Sequence, residues 1–540
     1  MSALTAADFP AFLRAVHEKS TFPWQQALVE QVLAEGRWPD LIDVPTGLGK
    51  TTMLDIGVFV AAATAGASGA ARAGRRRCFF VVDRRIVVDE AYTHATTLAK
   101  ALQDAEKNGS DDILGRVAAA LRSYAPLAGG ELLPVTRMRG GSTWSASWLD
   151  RPDRPGIVLG TVDQVGSRLL FRGYGVSDRR KPIDAALVGT DSLLLVDEAH
   201  LSTALLNTVA AVQDRDELRL PLPGLSVVRL SATGKQGSNV FTLDVEAHRA
   251  DEEASRRLTA RKHLTLTTVP AKECATTLAA AAVERLHHLA GRAGEVSPAV
   301  LVVCNTVDRA RQVHDRLVRL LNKGKSAEVT CDLLIGRSRQ VDRRSPTEGA
   351  LGVLNVKRPA GKPPAILVAT QTVEVGVNID ADALITESAS WDALVQRLGR
   401  LNRLGAFDRR YPGETAAAVV VHDGQADGPV YGAARDATVA ALAQLIEAAP
   451  EDHLDVSPLA CRRLKDGPLG SLACTGTTTR RRCCYAPPWM PGCRPHRSLR
   501  STRPSLRTCT DSPEALRPCR FSGVPGWSAT TPSTTPSATT

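Results

Sequence analysis

Short, almost continuously apolar runs recur along the first 460 residues of this 540-residue chain, with alanine-rich stretches between them. Runs of this kind are typical of parallel β-strands that helices cover on both faces. Helical stretches such as Leu54–Ala65 and Ala271–Leu289 separate them. The alternation predicts an α/β fold in which a doubly wound parallel sheet occurs twice. The runs are Cys78–Val82, Gly156–Leu159, Leu193–Val196, Val227–Leu230, Ala299–Val303, Ala365–Val368 and Ala416–Val421.

Domain boundaries follow from the places where this alternation is interrupted. The polar, charged stretch Ala247–Arg261 separates the two predicted sheets. We therefore expect a first α/β domain over 1–250, a second over 251–425, a helical extension over 426–460 and a tail over 461–540. The tail accounts for the whole formal net charge of +10. The two α/β domains therefore lack a global basic field, and any nucleic-acid binding there needs a local patch.

The tail has an unusual composition, with 11 Pro, 13 Thr and seven Cys and no helical or strand period past about Ala460. One interpretation is a disordered basic tail. The other, which the composition favours, is a GC-rich gene read out of frame. Its cysteines form no C-x-x-C pair with matching partners, so we expect no zinc site. We expect 462–540 to be disordered, and a chain that ends at Ala460 to keep the activity.

Several classes of protein are excluded by what the sequence lacks. No stretch of 18 apolar residues occurs, and the N-terminus MSALTAADFPAFLRAV has no basic start followed by an apolar block. We therefore expect neither a membrane span nor a secretory signal. The first 460 residues contain only four cysteines, which fits a reducing cytoplasm. The sequence thus predicts a cytoplasmic protein with no membrane partner.

The segment DVPTGLGKTT, Asp43–Thr52, follows a short apolar run and precedes a helical stretch from Met53. Strand, glycine-containing loop and helix in this order predict a phosphate-binding loop for ATP. Lys50 would reach the β- and γ-phosphates, and the Thr51 hydroxyl would ligate Mg²⁺. Val44 stands where the pattern usually has Gly. The predicted ATP-binding residues of this loop are Thr46, Gly47, Gly49, Lys50, Thr51 and Thr52.

The segment LLLVDEAH, Leu193–His200, is an apolar strand that ends in two carboxylates. This position is the carboxyl edge of the sheet, where ligands bind in open α/β folds. Asp197 would hold Mg²⁺ through water, and Glu198 would orient and deprotonate the attacking water. His200 would sense the γ-phosphate. Such a pair is often a solvated turn, but the phosphate-binding loop upstream favours a catalytic role.

The segment LVQRLGRLNR, Leu394–Arg403, is predicted to be a helix whose Arg400 and Arg403 share one face. A guanidinium here can cancel the charge that develops on a transferred phosphoryl group. We therefore predict that Gln396, Arg400 and Arg403 are catalytic. The alternative is a solvated basic helix.

Short segments beside the other strands complete the predicted site. In FPWQQ, Gln25 or Gln26 could contact the adenine edge, whereas Trp24 is also a candidate for the core. In SAT, Ser231 and Thr233 are predicted to couple the carboxylates to the nucleic acid.

Two further segments are candidates for contact with a sugar-phosphate backbone. Thr161 begins GTVDQ in the first predicted sheet. Thr370, Gly376 and Asp380 belong to ATQTVEVGVNID in the second. Hydroxyls and helix-start N–H groups grip phosphates without reading sequence, so Thr161, Thr370 and Gly376 are predicted nucleic-acid contacts and Asp380 a coupling residue.

Taken in order, these motifs resemble a superfamily 2 helicase of the DEAD/DEAH kind across about residues 20–425. The resemblance implies two tandem RecA-like domains with ATP and Mg²⁺ in the cleft between them. VVDRRIVVDEAY (Val81–Tyr92) and GTVDQVGSRLLFRGYGVS (Gly160–Ser177) narrow it to the CRISPR-associated helicases of type I interference systems, and most of all to their type I-G branch. For Arg84 the resemblance implies contact with nucleic acid.

Members of that family translocate 3′ to 5′ on single-stranded DNA at the expense of ATP, after the Cascade surveillance complex recruits them to an R-loop. The resemblance therefore implies single-stranded DNA and a Cascade-type complex as partners. An HD nuclease is usually joined to the helicase and is expected after it in the type I-G branch, where this chain has its basic tail. The His-Asp pairs His314-Asp315 and His422-Asp423 fit surface or core positions better than metal ligands. No nuclease activity is therefore expected from this chain.

Two other functions stay open on the sequence. The first is an RNA helicase or DNA-repair helicase of the DEAD/DEAH type, although no accessory RNA-binding module is visible. The second is a non-catalytic scaffold that changes shape with bound nucleotide. The intact Lys50, Asp197, Glu198, Arg400 and Arg403 argue against the scaffold.

Overall fold

The strands of the protein form two successive seven-stranded sheets. This confirms the predicted pair of tandem α/β domains with parallel sheets. No helix in the part of the chain that is described is both long and apolar enough to cross a membrane. The computed structural model describes residues 3–67, 69, 72–83, 85–126, 129–138, 147–214, 222–231, 239–292, 296–323, 329–336, 349–356, 358, 361–374, 377–425, 428, 430–467 and 469.

All neighbouring strands of the first sheet run parallel. The strands are β1 (Leu41–Asp43), β2 (Arg77–Val82), β3 (Val135–Met138), β4 (Gly156–Thr161), β5 (Ser192–Asp197), β6 (Leu225–Leu230) and β7 (Val240–Thr242). Their order across the sheet is β3-β4-β2-β5-β6-β1-β7. Because β5, β6 and β1 are neighbours, the loops after their carboxyl ends meet at one edge.

The second sheet repeats this plan and adds one short antiparallel strand. Its strands are β8 (Lys262–Thr268), β9 (Ala299–Val303), β10 (Thr330–Leu334), β11 (Ala365–Ala369), β12 (Ala383–Glu387), β13 (Ala416–His422) and β14 (Leu454–Asp455). The order is β10-β11-β9-β12-β13-β8-β14, and only β14 runs antiparallel to its neighbour among these strands.

Helices connect the strands and pack on the sheets. Those described are α1 (Phe9–His17), α2 (Pro23–Glu35), α3 (Met53–Ala63), α4 (Arg85–Lys107), α5 (Ile113–Arg122), α6 (Ser147–Asp150), α7 (Val162–Leu169), α8 (Lys181–Gly189), α9 (Thr203–Asp214), α10 (Val245–Ala250), α11 (Glu252–Leu258), α12 (Cys274–Ala290), α13 (Val307–Lys323), α14 (Ala350–Val353), α15 (Trp391–Leu398), α16 (Phe407–Arg410), α17 (Ala433–Glu447) and α18 (Pro458–Asp466).

Each sheet has a separate hydrophobic core. Strands β2, β9, β11 and β12 are buried at every residue, which explains why near-continuous apolar sequence forms them. The seven predicted runs all lie in strands. Strand β8, with the sequence KHLTLTT, escaped the prediction because its polar and apolar residues alternate.

The join between the two sheets lies slightly later than the predicted boundary at 250. Helix α11 belongs to the first core, because its Ala254 and Leu258 are buried there. The second sheet begins at Lys262.

Ordered structure continues beyond Ala460, so the prediction of disorder from residue 462 is wrong as far as Asp466. Helix α18 has Ser457 as its N-cap, with the hydroxyl accepting from Ala460 N, and Pro458 in its first turn. Both features favour a helix start. Cys461 is only 7% exposed and packs in the second core. The sequence analysis missed this amphipathic helix because the segment as a whole has a basic, irregular composition.

Candidate active site

The phosphate loop turns on two glycines in the left-handed region of backbone space. Gly47 has φ of 92° and Gly49 has φ of 73°, values that strain any residue with a side chain. A Cβ on Gly49 would also lie 3.1 Å from Gln25 Nε2. Lys50–Thr52 then form a 3₁₀ turn that leads into α3. The helix N-terminus thus stands behind the loop, as phosphate binding requires.

The start of α2 supports this loop through two side chains. Trp24 is buried, and its Nε1 donates to Leu48 O at 2.9 Å. Gln25 Oε1 accepts from Phe22 N at 2.9 Å, and its Nε2 reaches Gly49 O at 3.4 Å. Trp24 is therefore a core residue that also holds the loop.

A cavity of about 370 Å³ opens beside the loop. Its lining includes Phe22, Gln25, Gly49, Thr52 and Arg257. The Arg257 Cζ atom lies 5.1 Å from the centroid of the Phe22 ring. An aromatic face with a side-chain amide and a guanidinium suits a flat, polar-edged base. Adenine contact by Gln25 stays a prediction.

The two carboxylates of β5 face the loop. Asp197 is buried, and its Oδ1 has no hydrogen-bond partner. Desolvation, together with the neighbouring Glu198, raises the pKa of Asp197 to about 7. Glu198 adopts φ of 47°, and its Oε1 lies 3.8 Å from Lys50 Nζ. Lys50 Nζ is also buried without a hydrogen bond. A buried lysine without a hydrogen bond, next to two acids, suits a site that binds an anion through the lysine and a cation through the acids.

The second sheet contributes directly to the same site. Gln396 Nε2 on α15 donates to Glu198 Oε2 at 2.7 Å, and the amide Oε1 is buried and unpartnered. Arg403 packs on the phosphate loop, since a Cβ on Gly47 would lie 3.5 Å from Arg403 O. Arg403 Nη1 is buried without a partner. Burial lowers the pKa of Arg403, opposed chiefly by Glu90.

Arg400 lies elsewhere, although the sequence assigns it the same role as Arg403. Its Nε donates to Val373 O at 2.9 Å, and its Nη2 donates to Glu374 O at 2.7 Å. Helix α15 ends at Leu398, so the prediction that Arg400 and Arg403 share a helix face is wrong. Gly399 ends the helix, and the chain turns so that only Arg403 lies against the phosphate loop.

Gly399 of the second lobe lies tightly against Thr46 of the phosphate loop. A Cβ on Gly399 would lie 2.4 Å from Thr46 Oγ1, which is too close for any side chain. From the segment between the sheets, Arg257 Nη1 donates to Gly47 O at 2.5 Å. The phosphate loop is therefore contacted both by the second lobe and by the segment between the two sheets.

The residues at this site fit a magnesium-bound nucleotide. The unpartnered Asp197 oxygen and the Thr51 hydroxyl supply the oxygen ligands that Mg²⁺ prefers. Lys50 and the positive end of α3 would balance the phosphates.

Two family models match the chain. The model for the C-terminal part of the CRISPR-associated nuclease/helicase Cas3 matches residues 297–406, and the model for the res subunit of type III restriction enzymes matches residues 18–236. Together they cover the phosphate loop, the two carboxylates and the segment from Gln396 to Arg403, but not Arg257 or α18.

Curated relatives and solved structures agree with these models. The CRISPR-associated endonuclease/helicase Cas3 of Escherichia coli K12 is 41% identical over 106 residues, which is 19% of this chain and 11% of that protein. The CRISPR-associated helicase Cas3 of Thermoproteus tenax is 28% identical over 263 residues, which is 46% of this chain and 39% of that protein. The crystal structure of T. fusca Cas3 with AMPPNP matches with a TM-score of 0.54 and 19% identity, covering 85% of this chain and 54% of that one. These matches make the chain similar to Cas3-type superfamily 2 helicases over the two α/β domains. It spans less than half the length of these two curated relatives.

Two of the predicted nucleic-acid residues lie at the carboxyl ends of corresponding strands in the two sheets. Thr161 ends β4 as the N-cap of α7, and its hydroxyl makes no capping hydrogen bond. Thr370 follows β11 and precedes a 3₁₀ turn. Both hydroxyls are largely buried, so phosphate contact there stays a prediction. Arg84, Thr233 and Gly376 lie outside the described residues.

The predicted coupling residues that the structure describes lie close to the phosphate loop or to predicted catalytic groups. His200 Nδ1 is 3.6 Å from Glu198 Oε2. Asp380 accepts a hydrogen bond from Arg403 N at 2.6 Å and another from Arg410 Nη1 at 3.0 Å. Ser231 directly follows β6, and its N–H donates to Ile42 O at 3.2 Å next to the phosphate loop.

Of the two His-Asp pairs weighed as nuclease ligands, His422-Asp423 is engaged in other contacts. His422 Nδ1 lies 3.0 Å from Ser388 Oγ, and Asp423 accepts from Arg435 Nη1 at 3.0 Å. His314 lies on α13 with its neighbour Asp315 mostly exposed.

Sequence reasoning missed the basic residues that hold the phosphate loop from a distance. Arg257 lies in the charged stretch Ala247–Arg261, which the sequence identifies only as the join between the two domains. From α18, Lys465 Nζ lies 3.2 Å and Arg462 Nη2 lies 3.8 Å from the Asp43 carboxylate that begins the loop. No local pattern could reveal these pairs, because the partners are hundreds of positions apart.

Proposed function

We propose that this chain is an ATP-dependent translocase on single-stranded DNA that acts in type I CRISPR interference. One observation carries the motor part of the proposal: Gln396 of the second sheet donates to Glu198 of the first at 2.7 Å. A catalytic acid that is held from the opposite lobe makes hydrolysis depend on how the lobes are arranged.

ATP binding rests on charge balance at the phosphate loop. Lys50 and the N-terminus of α3 would offset the phosphate charge. Thr51 and Asp197 would hold Mg²⁺, which neutralises charge on the β- and γ-phosphates. The purine would enter the cavity that Phe22 and Arg257 line, where Gln25 stands at the edge.

Hydrolysis transfers the γ-phosphoryl group to water. Glu198 would accept the proton as the new P–O bond forms and the bond to the β-phosphate oxygen breaks. Arg403, with its unpartnered Nη1, would offset the charge that spreads over the phosphoryl oxygens. His200 and Gln396 would keep the Glu198 carboxylate oriented.

Movement follows from the division of the site between two lobes. Tight closure around ATP and release after hydrolysis would change the spacing between the carboxyl edges of the two sheets. Thr161 and Thr370 stand at these edges, one on each lobe. A nucleic-acid strand bound at both edges would be drawn along as the spacing between the edges changes.

The choice of single-stranded DNA and of a Cascade-type partner rests on the family. The segments VVDRRIVVDEAY and GTVDQVGSRLLFRGYGVS are those most typical of CRISPR-associated helicases. We place the chain after R-loop formation, as the motor that draws in the displaced strand.

The proposal is tested by ATP turnover with and without single-stranded DNA. Lys50→Ala and Glu198→Gln should each reduce turnover at least about 100-fold. Lys50→Ala should also weaken nucleotide binding, whereas Glu198→Gln should keep it, because only Lys50 carries charge to the phosphates. The exposed Lys100→Ala and Glu35→Gln serve as matched controls and should leave turnover unchanged.

Different results point to the other functions. Stimulation by RNA but not by DNA would indicate an RNA helicase. Nucleotide binding without turnover in the wild-type chain would indicate a scaffold. The Cascade step is checked separately by asking whether DNA unwinding requires an R-loop-bound surveillance complex.

A further inference from the structure

Three helices bring one carboxylate and two imidazoles together beside the base cavity. His17 is the last residue of α1, Asp55 lies in the first turn of α3, and His94 lies in α4. His17 Nε2 is 2.8 Å from Asp55 Oδ1, and His94 Nε2 is 2.5 Å from Asp55 Oδ2. The two rings stack with centroids 4.2 Å apart. The catalytic chemistry above uses none of the three.

Among the described residues, the Asp55 carboxylate faces two imidazoles and no Lys or Arg side chain. The Asp55 side chain is fully buried. A buried carboxylate normally needs a cation or several hydrogen bonds. One donor atom from each residue lies within 4.8 Å of the others, and no second group of three such residues occurs among the described residues.

An ion can reach this cluster from the cavity. His17 and His94 line the same space of about 370 Å³ as Phe22 and Gln25. Their side chains are 9% and 20% exposed, whereas Asp55 stands behind them at 0%. The cavity side leaves room for a water ligand.

We propose that His17, Asp55 and His94 bind one divalent transition-metal ion of the zinc class. Two imidazole nitrogens and one carboxylate oxygen suit Zn²⁺, which takes a fourth ligand such as water. Mg²⁺ prefers oxygen ligands only, so this ion differs from the one proposed at Asp197.

Small side-chain rotations would open the site. Ligand bonds of about 2.1 Å in a tetrahedral site place the donor atoms about 3.4 Å apart. The present contacts of 2.8 and 2.5 Å are shorter than that, so the imidazoles must separate slightly from the carboxylate. Each ring would bind through Nε2 and keep its proton on Nδ1. The ion would then join α1 and α4 to the helix that follows the phosphate loop.

Cobalt(II) tests this proposal, because its d–d absorption reports ligand type. The full chain is stripped of metal, its thiols are alkylated because the tail holds seven cysteines, and Co²⁺ is titrated in. We expect one equivalent with d–d bands of a four-coordinate site and no thiolate charge-transfer band. Zn²⁺ should displace it, whereas a large excess of Mg²⁺ should not.

Variants assign the signal to the cluster. His17→Gln and His94→Gln lie on different helices, and each should lose the equivalent while its circular dichroism stays unchanged. His453→Gln is the matched control, since His453 stacks on His263 with centroids 3.7 Å apart and should keep the signal. If the wild-type chain gives no d–d band, or if a folded His17 or His94 variant keeps it, the three residues form a hydrogen-bonded cluster only and the proposal is overturned.

Discussion

At the level of single residues, two arginines of one motif make different contacts. Arg403 presents an unpartnered, buried Nη1 beside Gly47. We predict that Arg403→Ala lowers ATP turnover about 100-fold or more, because a donor aimed at developing charge is lost. Steady-state ATP hydrolysis at saturating single-stranded DNA measures this, and the melting temperature should shift little.

Arg400 makes the matched comparison. Its guanidinium bonds the carbonyls of Val373 and Glu374. Arg400→Ala should lower the free energy of unfolding by about 1–3 kcal/mol, because two buried acceptors lose their donor. Urea titration checks this. Equal stability losses in the Arg400 and Arg403 variants would remove the distinction.

A buried lysine at the start of β8 gives a pH dependence. Lys262 is 2% exposed, and its Nζ donates to Leu398 O at 2.9 Å. Burial lowers the pKa of Lys262 to about 8 from its ordinary 10.5. Between these values the unfolded chain keeps a proton that the folded chain has released, so the stability of the folded state rises with pH.

We predict that the wild-type chain gains about 2 kcal/mol relative to Lys262→Met between pH 7.5 and 9.5, at about 1.4 kcal/mol per pKa unit. Urea titrations of both proteins at the two pH values measure the difference, in which other titrating groups cancel. The exposed Lys100→Met should show no such trend. A constant difference would mean that Lys262 keeps its ordinary pKa.

At the level of elements, the sequence predicts the strands and the loops after them far better than it predicts the contacts between distant segments. Strands that are apolar throughout, such as Ala299–Val303, were placed correctly because burial on both faces demands that composition. The sequence predicts Asp197 and Glu198 as catalytic acids from their place at the end of β5. The end of α15 was misplaced because Gly399 was assigned to a continuing helix. The contacts that the ends of α11 and α18 make with the phosphate loop depend on long-range packing, which no local pattern encodes.

Gly399 lets us test the contact between the lobes. Its substitution by Ala would put a Cβ 2.4 Å from Thr46 Oγ1. We predict that Gly399→Ala lowers ATP turnover about 10-fold or more, because the phosphate loop and the end of α15 are pushed apart. Turnover at saturating ATP and DNA is the measurement.

Removing the opposing hydroxyl should restore part of the loss. The double variant Gly399→Ala, Thr46→Ala should turn over faster than Gly399→Ala alone, even if Thr46→Ala by itself is slower than wild type. Full activity of the Gly399→Ala variant would show that the lobes are farther apart during hydrolysis.

At the level of the whole molecule, the boundary between the second domain and the tail belongs after α18 rather than before it. Cys461 and Leu469 are buried in the second core. We predict that a chain ending at Leu469 keeps DNA-stimulated ATP hydrolysis. A chain ending at Ala460 should lose about 2–5 kcal/mol of stability, because it exposes the pocket that these side chains fill. Thermal melting and ATP turnover of the two chains give the answer, and equal behaviour would make α18 dispensable.

The ion pair between Asp43 and Lys465 also sets an order of events during protein synthesis. The two residues are 422 positions apart, and the lysine reaches the first residue of the phosphate loop. At ordinary ribosomal speeds of about 5–20 residues per second, the partner of Asp43 is made roughly 20 to 80 seconds after it. For that interval the nascent first lobe carries its phosphate loop without the basic residues of α18. The phosphate loop therefore gains this part of its support only after α18 has been made.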